Sequence, residues 1–117
     1  MKSYTDMVDD AKSRIVQITP QDALAEHAAG KSVFVDVRDI QEVNLGKIPG
    51  ALHISRGTLE SKIEAVVPRD ARVVLYCPSG NRSALAADAL RAMGYTNVVS
   101  LARGFSGWAD AGGDIDG

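Results

Sequence analysis

Segments rich in β-branched residues alternate with helix-patterned segments along the chain. This alternation predicts an α/β sandwich, a mostly parallel central sheet flanked by helices. Two runs make the case. Ser32 to Val37 is nearly continuous in β-branched and aromatic residues, as expected of a central parallel strand buried on both faces. Val73-Val74-Leu75-Tyr76 is a second such run, and it leads directly into the only cysteine, Cys77.

The elements follow in order. Tyr4, Met7, Val8, Ala11 and Ile15 recur at helical spacing, so residues 1–15 are expected to form an amphipathic helical extension that covers an apolar flank. Val16-Gln17-Ile18 reads as a short strand. Thr19-Pro20 is a helix start, with Thr19 as cap and Pro20 in the first turn, and that helix stops at Gly30. After the Ser32–Val37 strand, Asp39 to Leu45 is expected to be a short helix. Gly46-Lys47-Ile48-Pro49-Gly50-Ala51 is turn-like, and Leu52-His53-Ile54 is a short strand. Leu59, Ile63 and Val66 share one helical face, with Pro68 closing the helix. The strand ending at Tyr76 is followed by the cysteine loop and a helix from Ser83 to Met93, which Gly94 ends. Asn97 to Leu101 is the last strand, and Gly104 to Ala111 a final short helix.

A chain of 117 residues is expected to form one domain around a single core. Hydrophobic residues make up 45% and charged residues 24%, an ordinary globular balance. The net charge of −2 is spread without a basic stripe, and aromatic residues are few, so nucleic acid is not an expected partner. No apolar stretch reaches membrane-spanning length, and residues 1–6 lack the apolar segment of a signal peptide. One cysteine excludes an internal disulfide, and the two histidines, His27 and His53, are too far apart for a metal-ligand pair. The expectation is a cytoplasmic protein with one free thiol, no metal and no cofactor, its oligomeric state open.

Cys77-Pro78-Ser79-Gly80-Asn81-Arg82 carries the chemistry. The loop lies between a strand and a helix N-terminus, where unpaired backbone N–H groups converge and can hold an anion. Such a setting favours the thiolate, the reactive form of cysteine. A lone cysteine more often packs as a small buried hydrophobe, but a structural cysteine does not need a turn of Gly, polar residues and Arg built around it. Asp36 and Arg38 end one central strand and Arg103-Gly104 follows another. In open α/β sheets, ligands bind beyond the carboxyl ends of the strands, so these residues are directed to the rim that carries Cys77.

The motifs Asp36-Val37-Arg38, Glu42, Gly46-Lys47-Ile48-Pro49-Gly50-Ala51, Tyr76 to Ser83 and Gly104-Phe105-Ser106-Gly107-Trp108 occur in this order. From about Ile18 to Trp108 the chain thereby resembles the small single-domain form of the rhodanese family of sulfurtransferases. The resemblance implies a rhodanese-like three-layer sandwich in which Cys77 attacks the outer sulfur of thiosulfate or a related donor. A persulfide results, held by the backbone of Ser79, Gly80, Asn81, Arg82 and Ser83, and its sulfur passes to cyanide or a thiol. Two half-reactions of this kind give ping-pong kinetics. Arg82 suits an anionic donor by its planar fork; the competing reading is a structural ion pair that holds the loop. Ser83 is expected to cap the following helix or to face the sulfur. Asp36, Arg38 and Glu42 either shape the site electrostatically or anchor turns.

Two positions depart from the family pattern. Lys47 stands where members often have His, and Arg103 where they often have a second Gly; a cation at position 103 would favour anionic donors if it entered the pocket. Phosphatases and arsenate reductases use a related thiol-to-arginine loop, but the phosphatase loop is one residue longer, and no second cysteine is present to resolve an oxidised thiol. A persulfide carrier or docking module without turnover is the remaining alternative.

Overall fold

The computed structural model describes all 117 residues. The chain runs α1 (Tyr4–Lys12), β1 (Val16–Ile18), α2 (Pro20–Ala29), β2 (Val33–Asp36), α3 (Ile40–Asn44), β3 (Leu52–His53), a 3₁₀ turn (Arg56–Thr58), α4 (Leu59–Ile63), β4 (Val73–Tyr76), α5 (Asn81–Ala92), β5 (Val98–Leu101) and α6 (Gly104–Asp110). The strands form one sheet in the order β1-β5-β4-β2-β3. Every pairing is parallel, so the expected mostly parallel sheet is wholly parallel.

The sheet divides two apolar layers by strict alternation. Val35, Val73, Leu75 and Cys77 pack with Leu59 and Ile63 of α4 and with Ala86, Ala87 and Leu90 of α5. Phe34, Val74, Tyr76, Val99 and Leu101 pack on the other face with Ala23 of α2 and Trp108 of α6. Successive strand residues point to opposite faces, and both faces are covered, which is why β2 and β4 are apolar at every position but the last of β2. Burial of each such aliphatic side chain contributes roughly 1.5–3 kcal/mol.

Local signals set the helix starts. Ser3 and Asp6 form a capping box on α1, and Thr19 and Asp22 form one on α2, each cap worth about 1 kcal/mol. The N-terminal helix lies across α5, with Val8 and Ala11 buried and Arg14 bound to Asp88 through two hydrogen bonds of 3.0 and 2.7 Å. Only part of its expected apolar stripe is used, because Tyr4 and Met7 remain half exposed. Two further expectations change. Helix α4 ends at Ile63, the chain turns, and Val67 is buried in place of Val66. The long helix α5 starts at Asn81 instead of Ser83, so Asn81, Arg82 and Ser83 make up its first turn.

Candidate active site

The strand β4 ends at Tyr76, and Cys77 is the next residue. Its side chain faces the α4–α5 layer and is 1% exposed. The chain then reverses through Pro78, Ser79 and Gly80 and enters α5. Gly80, at φ 104°, makes this reversal, and a side chain there would press on the backbone of Arg103 and Leu101.

The sulfur has two neighbours able to hydrogen-bond. The Gly80 N–H donates to Cys77 Sγ at 3.1 Å, and Ser83 Oγ lies 3.4 Å from it. Behind Ser83, Ser100 Oγ of β5 is 2.8 Å away. Both serines are fully buried, so their hydroxyls satisfy each other and the sulfur in a dry environment, where an unpaired hydroxyl would be costly. If the sulfur is ionised it can only accept, and the chain then runs Ser100 to Ser83 to sulfur. Ser83 thus does not cap α5; that place belongs to Gly80. Ser100 was missed in the sequence, although a serine within the apolar run Val98-Val99-Ser100-Leu101 signals a buried partner.

The backbone adds the donors. The N–H groups of Ser79, Asn81, Arg82 and Ser83 bond to no protein acceptor, whereas Ala84 N–H already returns to Gly80 O at 3.2 Å. The first helical turn leaves such groups unmatched by construction, and here they adjoin a thiol. The carbonyls of the loop are held from α6: Phe105 N–H donates to Cys77 O at 2.8 Å and Ser106 N–H to Pro78 O at 3.1 Å. This contact requires Gly104, whose φ is 52° and whose position leaves no room for a Cβ between the Cys77 carbonyl and the Pro78–Ser79 peptide.

The arginines sort differently. Arg82 binds Glu42 of α3 through 3.2 and 3.1 Å hydrogen bonds, with Asp39 3.9 Å away. Arg82 holds the Glu42 carboxyl below the usual carboxylate range, against a smaller opposing effect of burial. Glu42 raises Arg82 in turn, and the nearby Cys77 adds to the rise. Arg38 is buried, binds Asp36 through Nε and Nη2, donates to Gly46 O at 2.6 Å and lies 4.2 Å over the Phe105 ring. It ties the ends of β2, the Gly46 turn and α6 together behind the loop. Arg103 takes a left-handed backbone at φ 64°, and its guanidinium bonds Asp110 at 3.0 Å on the surface. Its backbone borders the loop; its charge is engaged elsewhere. Neither histidine approaches the sulfur through a hydrogen bond: His27 Nε2 meets Pro49 O and His53 Nε2 meets Arg38 O, each at 2.8 Å.

The thiol thus stands at a helix N-terminus beside uncommitted N–H donors, on an all-parallel α/β sheet. Residues 19–111 match the model of the rhodanese-like domain, and the chain belongs to that family. It is 38% identical over 96 residues to the thiosulfate sulfurtransferase GlpE of Pseudomonas entomophila, covering 82% of this chain and 86% of that one. A Rhodopseudomonas palustris protein of unknown function, RPA3614, described as a possible tyrosine phosphatase, has a solved structure that superimposes with a TM-score of 0.91 at 40% identity, covering 99% of this chain and 96% of that one. The polysulfide-sulfur transferase homodimer of Wolinella succinogenes gives 0.79 at 29% identity, with 93% and 83% covered. No helix is long and apolar enough to cross a membrane.

Proposed function

We propose that the protein is a thiosulfate sulfurtransferase working through a Cys77 persulfide. The observation that carries this reading is the sulfur at the entrance to α5, already accepting the Gly80 N–H at 3.1 Å beside four N–H groups that have no protein acceptor. The Cys77 thiolate attacks the outer sulfur of thiosulfate. A new S–S bond forms, the S–S bond of the donor breaks, and sulfite leaves with the electron pair. The persulfide anion so formed keeps its negative charge within the loop, where backbone donors preorganised in a dry site stabilise it without reorganisation. Cyanide or a thiolate then attacks the outer sulfur, and the Cys77 thiolate departs. Ser79, Gly80, Asn81, Arg82 and Ser83 hold the transferred sulfur. Asp36 and Arg38 act one layer behind, by fixing the loop. A single unpaired thiol of this kind fits a reducing compartment such as the cytoplasm.

The description of RPA3614 raises a phosphatase reading. Two features oppose it: the short span from Cys77 to Arg82, and the engagement of Arg82 by Glu42, which takes up the fork a phosphate would need. Initial rates with thiosulfate and cyanide separate the two. The sulfurtransferase gives thiocyanate with parallel double-reciprocal lines, and Cys77→Ser abolishes it. Hydrolysis of a phosphate ester without thiocyanate formation would overturn the assignment.

A further inference from the structure

Every arginine of the chain is ion-paired, including all three expected near the site. The cation that touches the cysteine loop without a carboxylate partner comes from elsewhere. Lys12, the last residue of α1, donates from Nζ to Asn81 Oδ1 at 3.2 Å, a part-buried contact across 69 residues of sequence. A neutral amide satisfies one N–H of the ammonium and leaves its charge uncompensated. Asn81 is also the first residue of α5, so the ammonium is anchored to a residue whose own backbone N–H is one of the free donors. Its position is not incidental: Val8 and Ala11 bury the helix against the protein, and the Arg14–Asp88 pair pins α1 to α5 two residues further on.

On the sulfur-transfer reading, we propose that Lys12 is a specificity-determining residue that selects doubly charged, sulfonate-bearing donors. The outer sulfur of such a donor must enter toward Cys77, which turns the sulfonate outward. There it meets the first turn of α5, to which Lys12 is anchored through Asn81. The N-terminal helix, which precedes the matched residues 19–111, thereby belongs to the active site and not only to the scaffold. It supplies the charge that the loop residues Pro78, Ser79, Gly80 and Asn81 lack.

Two alkylating reagents of nearly equal size test this without relying on sulfur transfer: iodoacetate, an anion, and iodoacetamide, which is neutral. The charged groups around the thiol are Lys12 on α1, Arg82 with Glu42 and Asp39 between α5 and α3, and the Asp36–Arg38 pair after β2; only Lys12 is changed. At low salt Lys12→Gln lowers the rate of Cys77 carboxymethylation about threefold to tenfold, from the Coulomb energy of one charge near a protein surface. Iodoacetamide reacts within about twofold of the parent, Lys12→Arg restores the parent ratio, and the difference shrinks as salt screens it. Lys31→Gln, which removes an exposed charge ahead of β2 at the opposite end of the sheet from Cys77, changes neither rate. With thiosulfate the same Lys12→Gln raises KM by the same factor and leaves kcat unchanged, the mark of lost donor binding. An unchanged iodoacetate-to-iodoacetamide ratio, or an equal loss with both reagents, overturns the proposal. A changed ratio in a protein that transfers no sulfur would instead leave the cation in place and sink the sulfurtransferase reading.

Discussion

The cysteine rim and the opposite margin of the sheet differ in a way that bears on where function resides. Beside the edge strand β3, a surface groove of about 390 Å³ is lined by His27, Val33, Phe34, Pro49, Leu52 and Val66. It offers volume, but its one ring nitrogen with a hydrogen bond is spent on Pro49 O. The cysteine rim instead collects a thiol, unmatched N–H donors and an ammonium with no carboxylate partner. On the sulfur-transfer proposal, unused hydrogen-bonding capacity, and not concavity, marks the reactive end of this fold. The contrast can be broken by substitution.

The largest effect is expected behind the rim. Arg38→Ala leaves Asp36 buried without its partner and should cost about 3–5 kcal/mol of stability, read by chemical denaturation. A loss below 1 kcal/mol would mean that the pair does not hold the loop. Gly104→Ala comes next. It forces a Cβ against the loop backbone at a positive φ and is expected to cost roughly 2–4 kcal/mol and to slow sulfur uptake by Cys77 at least tenfold. In the groove, by contrast, Leu52→Ser changes uptake by no more than about twofold, because it touches none of the loop donors. Equal losses from Leu52→Ser and Gly104→Ala would erase the distinction between the two regions.

A smaller effect depends on pH. Glu42 is held below its ordinary value by Arg82, so its ion pair contributes fully above the unfolded carboxylate range and is lost as pH falls through the lower folded value. Because the pair is partly exposed, solvent screening limits it to about 1 kcal/mol or less. Comparing the parent with Glu42→Gln should show a stability gap at pH 7 that closes in acid; a gap that widens in acid has the wrong sign. The smallest change is Arg103→Gly, which relieves a left-handed backbone and should raise stability by about 0.5–1 kcal/mol while leaving thiosulfate kinetics alone.

How much could be read from the chain follows the same division. The alternation of apolar runs placed every strand and helix to within a few residues, since two-sided burial and capping are local or periodic signals. Helical spacing misled at Val66 because α4 stops one turn early, and at Tyr4 and Met7 because α5 covers only a narrow stripe of α1. At the site, Cys77 and its loop were legible from a strand–turn–helix pattern. The destinations of Arg82 and Arg103 were not, because Glu42 and Asp110 are ordinary surface carboxylates until the fold brings them close. Ser100 left a faint trace as a polar residue in a buried strand. Lys12 left none: its contact with Asn81 exists only once α1 is laid across α5.

Sulfur transfer through a persulfide requires Cys77 to take up a single sulfur atom. Intact-protein mass after incubation with thiosulfate tests it most directly, for the parent and for Cys77→Ser, followed by cyanide. The expected result is a gain of one sulfur on the parent alone, removed by cyanide with release of thiocyanate. No gain on the parent, or an equal gain on Cys77→Ser, would contradict it.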